Sequence, residues 1–257
     1  MITLEKVSKS FGGRRVLMEL DLHVEEGETF VIMGPSGIGK SVTLKHIVGL
    51  LTPDSGRVLV NGLEISATSG QALRTARREI GFLFQGGALL DWMSVGANVA
   101  LPLREDRAHK KSNEEIEKIV KDTLALVNMA SERHKFPSEI SGGMRKRAAL
   151  ARVLVANPRI ILYDEPTAGL DPRMSQTITN LINDVKQKFG VTAIVVTHDL
   201  PHAYEVADRI GMMHLGKLIE VGTPEQIRQT KNPIVRDFIE GRPFVSVDEE
   251  TKLGLTR

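Results

Sequence analysis

The chain has no cysteine. That excludes disulfides, thiolate metal centres and thiol nucleophiles together, although it leaves the compartment open. Charge of one sign is also missing. The formal net charge is only +2, and lysines and arginines alternate with acids along most of the chain, so no electrostatic footprint demands nucleic acid as a partner. The one basic cluster, Arg74, Arg77 and Arg78, reads as a solvated helix face. Long hydrophobic runs are absent too. Crossing a bilayer takes roughly 18 to 20 apolar residues, whereas stretches such as Ile160 to Tyr163 and Ala193 to Val196 are short, so a membrane role must run through a partner. Met1 to Lys6 lacks the basic, apolar and small-residue segments of a signal peptide, and the chain is expected to stay inside the cell.

What is present suits a folded protein with a sizeable core: 257 residues, 41% apolar and 26% charged. Alternating apolar residues predict strands over Ile2 to Val7 and Val16 to Val24, followed by Thr29 to Met33, which runs into a glycine-rich turn. Lys40 to Leu51 reads as a helix stopped by Thr52-Pro53-Asp54-Ser55-Gly56, with a strand at Arg57 to Val60. The middle is helical. Ser112 and Glu115 form a capping box, and Ile116, Ile119, Val120, Thr123, Leu124 and Val127 make one buried stripe. Strand, helix, strand, helix follow at Ile160 to Tyr163, Pro172 to Phe189, Thr192 to Val196 and Pro201 to Ala207. Asp171 caps the first of these helices, whose inner face is Ile178, Leu181, Ile182, Val185 and Phe189. That alternation implies a parallel sheet covered on both sides. Arg209 to His214 and Leu218 to Val221 read as a hairpin.

Gly34-Pro35-Ser36-Gly37-Ile38-Gly39-Lys40-Ser41 fits GxxxxGK[ST] between a predicted strand and a predicted helix, the context this motif requires. Its glycines let backbone amides turn inward around phosphate, and the helix N-terminus faces the anion. Lys40 neutralises the outer phosphates, and Ser41 can ligate magnesium. Asp164-Glu165 ends an apolar strand. Two adjacent carboxylates are costly to bury, so they are expected at the exposed carboxyl end, with Asp164 suited to magnesium and Glu165 to general-base work. Taken alone, acids after a strand also fit an ordinary solvated loop.

Ile140-Ser141-Gly142-Gly143-Met144-Arg145, taken with those two motifs, resembles the signature of the ATP-binding cassette ATPases. The resemblance covers about residues 1 to 235. It implies an α/β P-loop NTPase fold of the ABC ATPase type: a mixed β-core, an antiparallel β-subdomain and an inserted helical subdomain at about 88–157, within a domain spanning 1–240. It also implies roles. Phe11 stacks on adenine, Gln85 is the Q-loop residue reaching magnesium, Ala168-Gly169-Leu170-Asp171 is the D-loop, and His198 holds the γ-phosphate and water. Ser141, Gly142 and Gly143 precede a helix and form a second anion site. In the family this site faces ATP held by a second copy, so ATP and Mg2+ join two protomers.

Two positions depart from the pattern. Val42 replaces a second hydroxyl near the α-phosphate, a loss worth about 0.5 to 1.5 kcal/mol. Met144 replaces the signature glutamine. That methionine and the run Phe84-Gln85-Gly86-Gly87-Ala88-Leu89-Leu90, with Met93, Val95, Asn98-Val99-Ala100 and Pro102 to Glu105, look like the Mla-type lipid-trafficking ATPases. This closer resemblance implies an MlaE-like permease, an Mce-type (MlaD-like) periplasmic lipid-binding subunit, and an MlaB-like STAS-domain protein as a further candidate. The chain would lie on the cytoplasmic side of the inner membrane, peripheral through the permease. Leu89, Leu90, Trp92 and Met93 are candidates for permease contact, with ordinary core as the competing reading. The extension 241–257, through Phe244, Val245 and Val247, is expected either to clasp the second protomer or to fray. A small-solute importer and a cell-division-type complex remain the alternatives. Repair or condensation ATPases carry a long coiled-coil insertion that this chain lacks.

Overall fold

The computed structural model describes residues 1–106 and 108–242. Its elements follow in chain order: β1 (Ile2–Phe11), β2 (Arg14–Val24), β3 (Thr29–Met33), α1 (Lys40–Ile47), β4 (Ser55–Val60), β5 (Leu63–Glu64), α2 (Gly70–Arg78) and β6 (Ile80–Leu83). Helices α3 (Val95–Glu105), α4 (Asn113–Leu126) and α5 (Gly142–Leu154) come next, then β7 (Ile160–Asp164), α6 (Pro172–Phe189), β8 (Thr192–Thr197) and α7 (Leu200–Val206). The described chain finishes with β9 (Arg209–His214), β10 (Lys217–Gly222), α8 (Pro224–Arg228) and α9 (Pro233–Ile239). Phe244, Val245 and Val247 lie outside the described residues.

The chain divides into two compact units, Met1–Leu73 together with the chain from Ile194 on, and Arg74–Ala193. In the first unit an antiparallel sheet has the order β2-β1-β4-β5, with Ile2 opposite both Val24 and Val60. The turns are dictated by residue type. Gly12-Gly13, Asn61-Gly62 and Leu215-Gly216 all have positive φ at both positions, the geometry of two-residue hairpin turns. Strand β3, buried along its whole length, pairs parallel with β9, which pairs antiparallel with β10. The sheet is therefore mixed, as the family resemblance implies.

In the second unit β6 and β7 run parallel, Ile80 opposite Ile160. Helix α5 packs against α3, α4 and α6. The Ser112–Glu115 capping box forms as the sequence predicts, and Asp171 accepts from the amides of Arg173 and Met174, both at 3.0 Å. Ile116, Val120, Thr123, Leu124 and Val127 are buried, while Ile119 is half-buried.

Two expectations need correction. Helix α1 ends at Ile47 and not Leu51, because Gly49, at φ +70°, takes the left-handed position that closes a helix, and the amides of Leu50 and Leu51 turn back to the Lys45 carbonyl. Phe189 is 41% exposed despite its place on the apolar stripe of α6. It is the last helical residue before Gly190, and the Lys188 ammonium lies 5.7 Å from its ring centroid. A helix face is buried only as far as its neighbours extend along it.

Candidate functional site

In the first unit, β3 delivers the chain directly into the Gly34–Ser41 turn. Gly34 has φ +145°, and a Cβ there would sit 2.4 Å from the Met213 carbonyl oxygen, so only glycine fits. Gly39, at φ +108°, is the N-cap of α1, and no side chain caps that end. The first amides of a helix have no intrahelical acceptors, so an uncapped N-terminus presents donors to an anion. Lys40 is buried, and its Nζ donates to the carbonyls of Gly34 at 2.7 Å and Pro35 at 2.8 Å, which holds the ammonium at the mouth of the turn. Ser41 and Val42 are half-buried on the first turn of α1. Phe11 ends β1 with 45% of its surface exposed, and the Lys9 ammonium lies 5.6 Å from its ring centroid. His198 is exposed immediately after β8, where the Asp199 amide donates to the Thr197 hydroxyl at 3.0 Å.

The second unit holds the carboxylates and the signature. Asp164 ends the fully buried β7, and the expected exposure fails: Asp164 is 6% and Glu165 8% exposed. The physical reason is Lys146, itself 6% exposed. Burial lowers the pKa of this ammonium from its ordinary value, and the charges of Asp164 and Glu165 pull it back up, so one buried cation offsets two buried acids. Lys146 Nζ also donates to the Gln85 carbonyl and, at 3.1 Å, to the Glu165 carbonyl. Glu165 has φ +48°, a left-handed conformation that costs a non-glycine residue on the order of 1 to 3 kcal/mol. The sequence reading gives Lys146 no role at the site. The available signal is a charged residue at 146 in line with Ala149, Leu150 and Val153, which places a lysine on the buried stripe of a helix.

Ser141 caps α5, its Oγ accepting from the Met144 amide at 3.3 Å. A Cβ on Gly142 would meet nothing closer than 3.7 Å, whereas one on Gly143 would press on Met174 at 3.0 to 3.3 Å. Gln85 is exposed, and the loop after it is pinned through its carbonyls. Arg152 donates to Gly87 at 2.8 Å and Ala88 at 2.7 Å, and buried Asn98 donates to Leu90 and Met93 at 3.0 Å. On that loop Trp92 is 76% exposed, while Leu89, Leu90 and Met93 are half-buried, so the core reading fails for the tryptophan. A cavity of about 770 Å3 in the same unit is lined by Ile80, Phe82, Phe84 and Leu103 and by the charged Arg77 and Arg78.

The profile of the ABC transporter family matches residues 17–168. The protein of Mycobacterium tuberculosis named as a probable ribonucleotide transport ATP-binding protein, mkl, is 43% identical over 241 residues, 94% of this chain and 67% of that protein. A methionine import ATP-binding protein of Clostridium acetobutylicum is 39% identical over 227 residues, 88% of this chain and 70% of that protein. Among solved structures, a dimeric ATP-binding cassette in a post-hydrolysis state, bound to ADP and Pi, has TM-score 0.81 and 33% identity, covering 87% of this chain and 99% of that one. The chain belongs to the ABC transporter ATP-binding family. It is an ATPase that uses ATP with Mg2+. The residues fit that pair: at Gly37 in the 34–41 turn a Cβ would stand in open space with nothing within 4 Å, and the turn's cation and uncapped helix suit phosphate. Among the described residues no three His, Asp or Glu side chains gather as a metal cage, and Mg2+ held partly through substrate phosphates needs none.

Proposed function

We propose that this ATPase powers phospholipid transport in an Mla/Mce-type complex, two copies of the chain working beneath an MlaE-like permease with an MlaD-like Mce subunit and, as a further candidate, an MlaB-like STAS-domain protein. The observation that carries this reading is the run Phe84 to Leu90 together with Met144 in the signature, both of which resemble the Mla type. Exposed Trp92 supports it as a contact for a permease segment, with half-buried Leu89, Leu90 and Met93 on the same loop. Among the described residues no helix is long and apolar enough to cross a membrane, which agrees with attachment through that permease on the cytoplasmic face of the inner membrane. Helices α3 to α5 carry the inserted subdomain at about 88–157.

In the chemistry of this reading, Lys40 exchanges the Gly34 and Pro35 carbonyls for the outer phosphates of ATP, and the amides of the 34–41 turn cradle them. Phe11 stacks on adenine. Ser41, Gln85 and Asp164 would hold the magnesium ion, which when bound would neutralise phosphate charge. Glu165 takes the proton of the attacking water, and His198 holds the γ-phosphate and that water in line. Ser141, Gly142 and Gly143 meet the γ-phosphate of the ATP held by the second copy, so hydrolysis removes the shared anion and the pair opens.

The test is gentle detergent extraction of the tagged protein from its native membrane, with mass spectrometry of co-purifying proteins and lipids. A permease, an Mce-type subunit and bound phospholipid are expected. A second reading, small-solute import, is favoured by relatives named for ribonucleotide transport, methionine import and sulfate/thiosulfate import. Recovery of a solute-binding protein without lipid would establish that reading instead.

A further inference from the structure

Lys146 is the buried cation of the second unit, and its bonds do not go to the carboxylate groups. They go to two backbone carbonyls, those of Gln85 and Glu165. Glu165 is the residue whose backbone is held in the left-handed region, and its carbonyl accepts twice, from Lys146 and from the Ala168 amide at 3.2 Å. Gln85 begins the segment whose next carbonyls, Gly87 and Ala88, are held by Arg152 from the same helix, α5. The helix that starts at the signature therefore grips the Gln85 loop at three carbonyls and the Glu165 turn at one.

We propose that Lys146 is a positioning residue for hydrolysis: by bonding the Gln85 and Glu165 carbonyls at once, it makes the signature helix, the Q-loop and the glutamate turn move as one piece. The proposal rests on the reading of Glu165 as general base. A neutral side chain of similar length fills the space without donating, so the Glu165 backbone is released from its carbonyl side; it also removes the positive charge beside Asp164 and Glu165, which is why Lys146→Arg, keeping both charge and donors, is compared with it. Misplacement of a reacting group by about 1 Å can cost on the order of a hundredfold in rate. A residue that serves only packing would instead lower folding stability, or affect substrate affinity and rate together.

The experiment uses the full chain assembled with its permease and compares Lys146→Met, Lys146→Arg and Glu165→Gln with the unaltered protein in steady-state ATP hydrolysis, ATP binding, ATP-dependent dimerisation and thermal melting. Lys146→Met is expected to lower kcat by roughly ten- to a hundredfold with KM and ATP affinity within about twofold. It should still form the ATP-dependent dimer. Lys146→Arg, which restores donors on a cation, should recover most of the lost rate. If Lys146→Met does not keep a wild-type melting temperature, Lys146→Arg decides alone through hydrogen exchange. Protection of the Gln85 and Glu165 segments is expected to be retained with turnover, and turnover without that protection overturns the proposal. Wild-type kcat in Lys146→Met, equal damage in the methionine and arginine variants, or a loss confined to KM also overturns it. Glu165→Gln separates the two ideas. If that variant hydrolyses ATP normally, the general-base reading is wrong; if it is inert while Lys146→Met is normal, only the positioning role falls.

Discussion

Two helix N-termini in this protein, both read as anion sites, are built in opposite ways. Helix α1 begins at Gly39, at φ +108°, with no side-chain cap, and a buried lysine, Lys40, stands at its first position. Helix α5 begins at Ser141 with its hydroxyl already accepting from the Met144 amide, and its first residues, Gly142 and Gly143, carry no charge. The first end has no side-chain cap and carries a cation in a turn that permits only glycine at its tight positions. The second has spent one donor on its own cap and keeps an open approach at Gly142, where an added Cβ would meet nothing within 3.7 Å. The difference suits a strong resident site on α1 and a weaker site on α5 that engages an anion brought to it and lets go when that anion changes.

The comparison breaks most visibly at the cation. Lys40→Ala is expected to weaken ATP binding by a hundredfold or more, since charge-assisted hydrogen bonds are worth about 1.5 to 3 kcal/mol each. Titration calorimetry reads this directly, and near-normal affinity would refute the resident-site assignment. A methyl group added at each end comes next. Gly39→Ala places a Cβ 2.8 Å from Leu17 Cδ2 and 3.0 Å from the Val16 carbonyl in a left-handed backbone, so a loss of about 1 to 3 kcal/mol in folding stability is expected along with ATP binding. Gly142→Ala meets no such neighbour. It should keep stability within about 0.5 kcal/mol and ATP affinity unchanged, yet lose ATP-dependent dimerisation because the methyl group stands where the second copy's phosphate must approach. If both alanines act alike in denaturation and in binding, the two ends are not the different devices described above.

A smaller effect tests the cap itself. Ser141→Ala should cost about 1 kcal/mol in urea denaturation, the usual worth of an N-cap. ATP affinity of the single chain should stay put while turnover falls. Loss of ATP affinity in the uncoupled chain would mean that α5 serves the chain's own nucleotide.

How much of this was legible depended on the reach of each signal. The 34–41 turn could be read because everything that shapes it is local: a buried strand before, glycines at positive φ, a lysine at the helix start. The Ser112–Glu115 box and the Asp171 cap are likewise contained within four residues. Asn61-Gly62, a strong hairpin signal, marks the short strand β5 that the patterning of apolar residues alone does not show. The burial of Asp164 and Glu165 was not legible, because the compensating charge, Lys146, sits 18 and 19 positions earlier on another element and bonds backbone atoms that no motif records. Whether Trp92 lies on the surface or in the core stayed open in the sequence for a similar reason. Its loop is held open by Asn98 Nδ2 and Arg152 grasping carbonyls, and carbonyls are the same in every residue.

The smallest expected effect lies on the first turn of α1. Val42 is half-buried there, and its carbonyl accepts from His46 Nδ1 at 2.8 Å. Threonine has nearly the shape of valine, so Val42→Thr should leave that bond and the melting temperature of the nucleotide-free protein close to unchanged. Its hydroxyl supplies the one donor that this phosphate site lacks relative to its family. A net hydrogen bond of about 0.5 to 1.5 kcal/mol corresponds to roughly two- to tenfold tighter ATP binding. An affinity gain without a stability change would show that the resident site on α1 is limited by donor count and still has room to be strengthened. No gain would mean that the α-phosphate lies beyond reach of residue 42, and that the amides of the turn already satisfy it.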